Sequence, residues 1–478
     1  MKHYLMFDMG TGNSRVSLVS SDGKILGLRN FSNTYYRDNS YEDGQYFVPN
    51  EWADKLLGGC RDLCRQFPDI LINGISAAGA RQSFVLIDRD GDAFIGLPNI
   101  DNRGRAYMSP LKQYPDIYSI SGKWITEDFG AGKLLGFRKV YPDQYARIAK
   151  ITSLSEWIGY LLTGCICMEY SQASESQLYD IQKKDWSEKL CEYYGFDMMI
   201  LPELKAGGTI LAKIDKKYQS SLNLSDDAVF IVGGADTQTA IRQTDVSNGD
   251  IAIVSGTTSP IVSLTEKYIN DPYERLWMDA DLGGNRFLME MNPGVTGMNY
   301  QRMKDAFCPD LSYDQLENYY DGMTEYACTA SFNSLLFYQK HGFKYGGFFM
   351  RSPLQANVNR QEMMYAVLGD IACGIYEELW RNIKITGNNP ERIYGCGGGF
   401  QSKTLCNMIA SLANKKLVLK HGYNQATVLG LVNIANSTFC EKSGNHSEIV
   451  EYEPDPNNLI HRYYKKWLEN RNRIIEGD

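Results

Sequence analysis

An apolar strand that runs into a Gly-Thr turn and out into a second strand occurs twice in this chain. The first copy is Tyr4-Leu5-Met6-Phe7-Asp8-Met9-Gly10-Thr11-Gly12-Asn13-Ser14-Arg15-Val16-Ser17-Leu18-Val19. Period-two alternation after a glycine turn, with an apolar run before it, predicts a β-hairpin. Glycines let the backbone approach a ligand closely, and turn N–H groups can cradle phosphate oxygens. Asp8 stands where a magnesium ion or its waters would need a hard oxygen ligand, and Arg15 adds positive charge nearby. Alone, the segment reads equally well as an ordinary hairpin. The second copy, Asp250-Ile251-Ala252-Ile253-Val254-Ser255-Gly256-Thr257-Thr258-Ser259-Pro260-Ile261-Val262, has the same grammar roughly half the chain later. The repeat predicts two similar domains, each opening with a phosphate hairpin, with one nucleotide between them. Neither copy is a Walker loop, because no Gly-Lys-Ser/Thr follows and a strand, not a helix, succeeds each turn.

Length and charge bound the rest. At 478 residues the chain fits two or three domains. A net charge of −8 argues against nucleic acid as a partner. No apolar run approaches the ~18 residues of a membrane span, and the chain enters a strand at once, with no signal-peptide pattern. The eleven cysteines form no Cys-x-x-Cys or Cys/His ligand set, so they are expected to be reduced thiols of a cytoplasmic protein.

Between the two hairpins, Trp52 to Phe67 has helical spacing, and Ile70 to Ala78 reads as a buried strand leading to Gly79-Ala80-Arg81-Gln82-Ser83. Phe84 to Asp88 is a further strand, and Pro98-Asn99-Ile100-Asp101-Asn102-Arg103 follows the next turn. Polar segments at strand ends are where open α/β sheets hold ligands, so Arg81, Gln82, Asp101 and Arg103 are candidates for sugar hydroxyls. Taken singly, each reads more readily as a surface salt bridge. Residues 121–205 are predicted to be mainly helical. A buried strand then ends in Val232-Gly233-Gly234-Ala235-Asp236-Thr237-Gln238. Asp236 at the head of a helix would be kept ionised by the helix N-terminus and could accept a proton from a substrate hydroxyl; a plain N-cap is the alternative. The last informative stretch, Arg392-Ile393-Tyr394-Gly395-Cys396-Gly397-Gly398-Gly399-Phe400-Gln401-Ser402, is strand, triple glycine, then helix, where a flat ring or phosphate can lie on bare backbone.

Taken together, these motifs resemble the FGGY family of carbohydrate kinases, from Asp8 to Gly430. Within that family, Asn99 to Arg103, Asp236-Thr237-Gln238 and Asp305 to Cys308 look closest to the autoinducer-2 kinase branch. The resemblance implies an α/β protein of two actin-like (ribonuclease H-like) domains with a cleft between them. The sugar-binding half would span residues 1–246, the nucleotide-binding half 247–440, and a helical tail 441–478. It implies ATP and Mg2+ as cofactors and a small sugar as substrate, with a homodimer a family expectation. By position, Asp8 matches the magnesium-associated acid. Gly10, Thr11, Gly12, Asn13 and Arg15 match the first phosphate loop; Gly256 and Thr257 match the second. Arg81 and Gln82 match the substrate pair, although glutamine replaces an acid seen in glycerol kinases. Asp236 matches the catalytic base, with Gln238 near the substrate. Gly297 and Gln301 match a nucleotide-binding helix start, and Gly398, Gly399 and Ser402 the adenosine turn. Two departures stand out: Gln425 replaces the usual acid before the late Ala-x-x-Leu-Gly segment, and Arg351-Ser352-Pro353 is all that survives of Gly-Glu-Arg-x-Pro. The expected activity is phosphoryl transfer to a sugar, ketose or polyol, autoinducer-2 or a pentulose among them. An actin-like ATPase and a silent sugar-binding regulator are the readings from other classes.

Overall fold

The structure, a computed structural model, describes residues 1–333, 335–442 and 448–475. It is built on two sheets of similar plan. In the first half, β1 (His3–Met9), β2 (Asn13–Ser20) and β3 (Ile25–Ser32) form an antiparallel run. On the other side of β1 lie β4 (Ile72–Gly79), β6 (Leu224–Ala235) and β5 (Ile210–Lys213), giving the order β5-β6-β4-β1-β2-β3. Both β4–β1 and β6–β4 are parallel.

The second half repeats the plan. Its hairpin strands are β7 (Ile251–Val254) and β8 (Ile261–Thr265), followed by β9 (Trp277–Ala280) and β10 (Phe287–Met291). Strands β11 (Arg392–Cys396) and β12 (Lys416–Lys420) add parallel to β7, and β13 (Ile449–Tyr452) closes the edge in the order β9-β10-β8-β7-β11-β12-β13. The two Gly-Thr turns therefore sit at equivalent places, after the first strand of each sheet, where parallel neighbours also end. This is the edge at which open α/β sheets hold ligands.

Strand β1 shows why the first sheet is covered on both faces. Its alternate side chains Leu5, Phe7 and Met9 pack with Trp52, Leu56 and Leu63 of α1 (Pro49–Gln66) and with Trp157 and Ile158 of α2 (Leu154–Thr163). Tyr4 and Met6 point the other way, against Val428, Leu431 and Val432. Helix α3 (Asp236–Arg242) follows β6 directly, as the Asp236 motif predicts. In the second half, α4 (Gly297–Phe307), α5 (Arg360–Thr386) and α6 (Lys403–Ala413) cover the sheet.

Three expectations are revised. Residues 121–205 hold helices at Gly130–Val140, α2 and Glu188–Tyr194, but also the strand Ile148–Ser153. That strand pairs antiparallel with Phe84–Asp88 in a three-stranded sheet completed by Ala93–Leu97. Its Ile-x-x-Ile-Thr composition suits a half-buried strand better than a helix. The second half does not stop at a separate tail. Strand β13 pairs with β12, and Tyr463 and Trp467 of α8 (Ile460–Ile475) are fully enclosed beside α5; residues 443–447 and 476–478 of the predicted tail lie outside the described residues. Helix α7 (Ala426–Phe439) is reached from β12 yet lies on the first sheet. The halves are thus interlocked at this helix.

Helix α7 meets α3 through a glycine. A Cβ placed on Gly430 would lie 1.9 Å from the carbonyl oxygen of Thr239. Backbone must move to admit it, and overpacking of this kind costs about 1–3 kcal/mol. Gly430→Ala is expected to lower stability by about that amount in urea unfolding, with unchanged m-value.

Candidate active site

The first glycine turn is strapped from below. Asn33 Nδ2 donates to the carbonyls of Gly10 at 2.7 Å and Thr11 at 3.1 Å, and the Tyr35 hydroxyl donates to Thr11 O at 2.6 Å. Asn99 Nδ2 donates to Thr11 Oγ1 at 2.8 Å. With its carbonyls tied down, the turn presents Gly12 and Asn13 to the open side, both exposed. A Cβ at Gly12 would meet nothing within 4 Å, so this turn has room above it.

Asp8 and Arg15 are cross-strand partners in β1 and β2, and Arg15 Nε lies 3.0 Å from Asp8 Oδ2. Arg15 also donates to Gln425 Oε1 at 2.8 Å. From there the contacts run on through backbone. Tyr423 O accepts from Gly397 N at 2.7 Å, and Gly399 N donates to Ser255 O at 3.0 Å, immediately before Gly256. The first loop, the Gln425 segment, the triple glycine and the second Gly-Thr turn are one connected surface. Gln425 is thus the link between the loops, whatever acid the resemblance would place there.

Glycines at the second turn are required by packing. Gly397 has φ +102°, and a Cβ there would lie 2.4 Å from Ser255 O; at Gly399 it would lie 2.1 Å from Ser255 Oγ. At Gly297 it would lie 2.2 Å from Gly256 O, and Thr296 N donates to Thr257 O at 3.0 Å. Gly256, Thr257 and Gly398 are exposed and unobstructed, as is Gln301 on α4. Ser402 is otherwise engaged. Its hydroxyl accepts from Leu405 N at 3.1 Å as the cap of α6 and donates to Glu317. That role is helix capping, in place of the adenosine contact expected from the sequence.

Asp236 lies at the end of β6, with its Oδ1 accepting from Thr237 N at 2.8 Å. Burial pushes its carboxyl up to about 6; Arg81 and the Thr237 N–H oppose the rise, and the carboxylates of Asp8 and Glu175 add to it. Desolvation outweighs the local dipole, so the value lies above the ordinary carboxylate range while still leaving the group ionised at pH 7. Asp8, Arg81 and Asp236 stand at the ends of the neighbouring strands β1, β4 and β6, and Glu175 pairs with Arg81.

Arg81 is clamped. One of its nitrogens lies 3.1 Å from Glu175 and the guanidinium forms a fork on Glu290 of β10, in the other half of the molecule. Gln82 Nε2 donates to Glu175 at 3.0 Å. Beneath them Lys123, fully buried, contacts Asp279 and lies 3.6 Å from Glu175. Burial raises the Glu175 carboxyl, but Lys123 and Arg81 outweigh it and hold the group below its usual range; burial pushes Asp279 up.

Sequence reasoning missed Glu175, Glu290 and Lys123. Glu290 did leave a signal, as the one charged residue in the apolar strand Phe287–Met291.

Three sequence candidates fall away from the space around Asp236. Asp101 and Arg103 are 0% and 2% exposed and spend their polar atoms on protein. Arg103 Nε lies 2.6 Å from Asp101 Oδ2, its Nη2 donates to Gln45 O at 2.8 Å, and Asp101 Oδ1 accepts from Gln45 N at 2.8 Å. They are a buried support under residues 36–46, so no sugar hydroxyl reaches them. Gln238, 4% exposed, lies instead beside Ile241, Leu264, Leu288 and Arg286 in a separate cavity of about 310 Å³, with neither amide atom paired. It does not line the space around Asp236.

Two interlocked α/β halves with glycine turns at matching sheet edges define the actin-like phosphotransferase fold. The model for the FGGY family of carbohydrate kinases, N-terminal domain, matches residues 3–241. YoaC of Bacillus subtilis (strain 168), which carries a provisional sugar-kinase name, is 36% identical over 478 residues, covering 100% of this chain and 98% of its own. The autoinducer-2 kinase of Salmonella choleraesuis (strain SC-B67) is 26% identical over 325 residues, 64% of this chain and 60% of that protein. Among solved structures, a xylulose kinase from Brucella ovis superposes with a TM-score of 0.86 at 17% identity, covering 100% of each chain. Plasmodium falciparum glycerol kinase with ADP does so at 0.83 and 17%, covering 100% of this chain and 98% of that one. The chain belongs to the FGGY family and is a carbohydrate kinase.

A raised carboxyl pKa has a sign that can be checked. The folded-state pKa of Asp236, about 6, exceeds the unfolded value near 4, so ionised Asp236 destabilises the fold above pH 6. Asp236→Asn is expected to raise stability at pH 7.5 by about 1 kcal/mol, partial exposure reducing the full effect. The gain should vanish as pH falls toward about 4, which thermal unfolding across pH would read.

Proposed function

We propose that this kinase transfers the γ-phosphoryl group of ATP to a hydroxyl of a small sugar, ketose or polyol, with Asp236 as the base. The observation that carries the reading is the position of Asp236, at the end of β6 on the same sheet edge as the Arg81–Gln82 pair after β4 and the strapped first glycine turn after β1. With its carboxyl pushed up to about 6, it is ionised at pH 7 and basic enough to accept a hydroxyl proton.

The remaining residues have roles that follow from their placement. N–H groups of the turns at Gly10–Asn13 and Gly256–Thr257 hold phosphate oxygens from the two halves, and Gly398 offers bare backbone to the nucleotide. Arg15, fixed by Asp8 and Gln425, holds positive charge beside the first turn. Arg81 and Gln82 orient the acceptor so that its hydroxyl meets Asp236. Positioning of this kind, with electrostatic stabilisation, carries most of phosphoryl transfer. Asp8 fits a magnesium site: Arg15 engages Oδ2 only, and Mg2+ takes one or two carboxylates, with waters and phosphates completing its shell. Bound there, the ion would neutralise phosphate charge. Dihydroxypentanedione, the autoinducer-2 precursor, is one acceptor within this reading; D-xylulose and L-ribulose are the alternatives supported by pentulose-kinase neighbours.

A coupled ADP-release assay over dihydroxypentanedione, D-xylulose, L-ribulose, L-rhamnulose, glycerol and gluconate tests the proposal. Asp236→Ala is expected to reduce turnover by at least about 1,000-fold while ATP still protects the protein from thermal unfolding. Near-normal turnover in that variant would remove Asp236 from the role of base.

A further inference from the structure

The charge of Arg81, at the end of β4, is already paired by two carboxylates. Glu290 takes both terminal nitrogens of its guanidinium, and Glu175 takes one of them again at 3.1 Å. Both carboxylates are buried, at 0% and 1% side-chain exposure, while Arg81 keeps 12%. Glu175 also lies 3.6 Å from buried Lys123, whose other carboxylate partner is Asp279. Two cations are therefore matched by three carboxylates, or by two when Asp279 holds its proton. Gln82 and Asn292 complete the lattice by donating to Glu175 and Glu290 at 3.0 and 3.3 Å. Asp236 and Asp8, both acids, stand on either side, at the ends of β6 and β1 that flank β4.

From this arrangement we infer that Glu175 and Glu290 are positioning residues that neutralise Arg81 and restrict the acceptor to uncharged polyhydroxyl compounds, excluding sugar acids. The inference rests on the kinase reading above. A carboxylate on the acceptor would meet no unpaired cation near Arg81 and would add to the negative charge of Asp8 and Asp236. Poorly solvated like charges reject such a ligand strongly. A neutral hydroxyl meets no such penalty. It can accept from Arg81, whose orientation the two carboxylates fix, and donate to the amide oxygen of Gln82. The fork on Glu290 also comes from the second half of the molecule, so specificity at Arg81 depends on both halves being in place.

The test compares kcat/KM for neutral acceptors (D-xylulose, L-ribulose, glycerol, dihydroxypentanedione) and acidic ones (gluconate, galactonate), by ADP release at pH 7.5. The wild-type protein should favour its best neutral acceptor over either acid by about 100-fold or more. Glu290→Gln keeps the shape and removes one negative charge from Arg81. It should raise the acid-to-neutral ratio of kcat/KM by about tenfold or more. If that variant fails to fold, Glu175→Gln serves the same purpose. A purely structural role would lower all acceptors alike and leave the ratio unchanged, which would overturn the inference. So would a wild-type preference for an acid, or silence on every acceptor while ATP still protects against unfolding. Loss of ATP protection in the wild-type protein would instead bring down the kinase reading itself.

Discussion

The two halves of this molecule are held in one geometry by the ion network around Arg81, and the candidate site exists only in that geometry. Arg81 follows β4 in the first half, while Glu290 and Asp279 belong to β10 and β9 in the second. Buried ion pairs contribute little net stability, because desolvation consumes most of the Coulomb gain. Cohesion comes instead from the apolar contact beside the network. There Trp277, Phe287 and Met289 of the second sheet pack in one cluster with Trp124, Phe129 and Leu134 from the first half. What the ions contribute is register. Removing one partner leaves an uncompensated buried charge, at a cost of about 3–5 kcal/mol, so sliding the sheets past one another is strongly opposed. The apolar cluster makes the halves adhere, and the network decides how.

The same network sets the chemistry of Asp236. A carboxyl in a cleft can be tuned upward by burial alone, but burial without a cation would leave it protonated and useless as a base. Arg81 opposes the rise, and Asp8 and Glu175 add to it. The balance places the group near 6, high enough to take a proton and low enough to be free of one at neutral pH. Arg81 thereby acts twice, as the acceptor contact proposed above and as a brake on the pKa of its neighbour. Its own carboxylate partners keep that second role moderate, because a guanidinium shared with Glu175 and Glu290 stabilises Asp236 less than a free one would.

Much of this was legible in the sequence, and what was not has a common cause. The two hairpins, the strand ending at Asp236 and the glycine run at 397–399 are local signals, each readable from period-two alternation and glycine placement. They located both sheets and the surfaces facing the cleft. Asp101, Arg103, Gln238 and Ser402 could not be placed this way. A buried ion pair, a cavity-lining amide and a helix cap use the same residue types as a ligand site, and only tertiary contacts separate them. Glu175 and Lys123 were invisible for the opposite reason, and Glu290 showed only as a lone charge in an apolar strand. Their partners lie up to 209 positions away, so no window of sequence contains the pair. The strand at Ile148–Ser153 was lost among helices because its partner, Phe84–Asp88, lies far upstream.

Helix α7 shows how the phosphate side and the acceptor side are made to act together. Its N-terminal neighbour Gln425 grips Arg15 beside the first glycine turn. The next residue, Ala426, packs with Cys396 and Ala240, joining the triple-glycine strand to α3. At Gly430 it presses against Thr239 backbone, in the helix that begins with Asp236. Its remaining apolar residues lie on β1 and β6, the strands that deliver Asp8 and Asp236. One rigid helix thus touches the supports of the first glycine turn, the triple-glycine turn and Asp236, so the three cannot shift independently of one another.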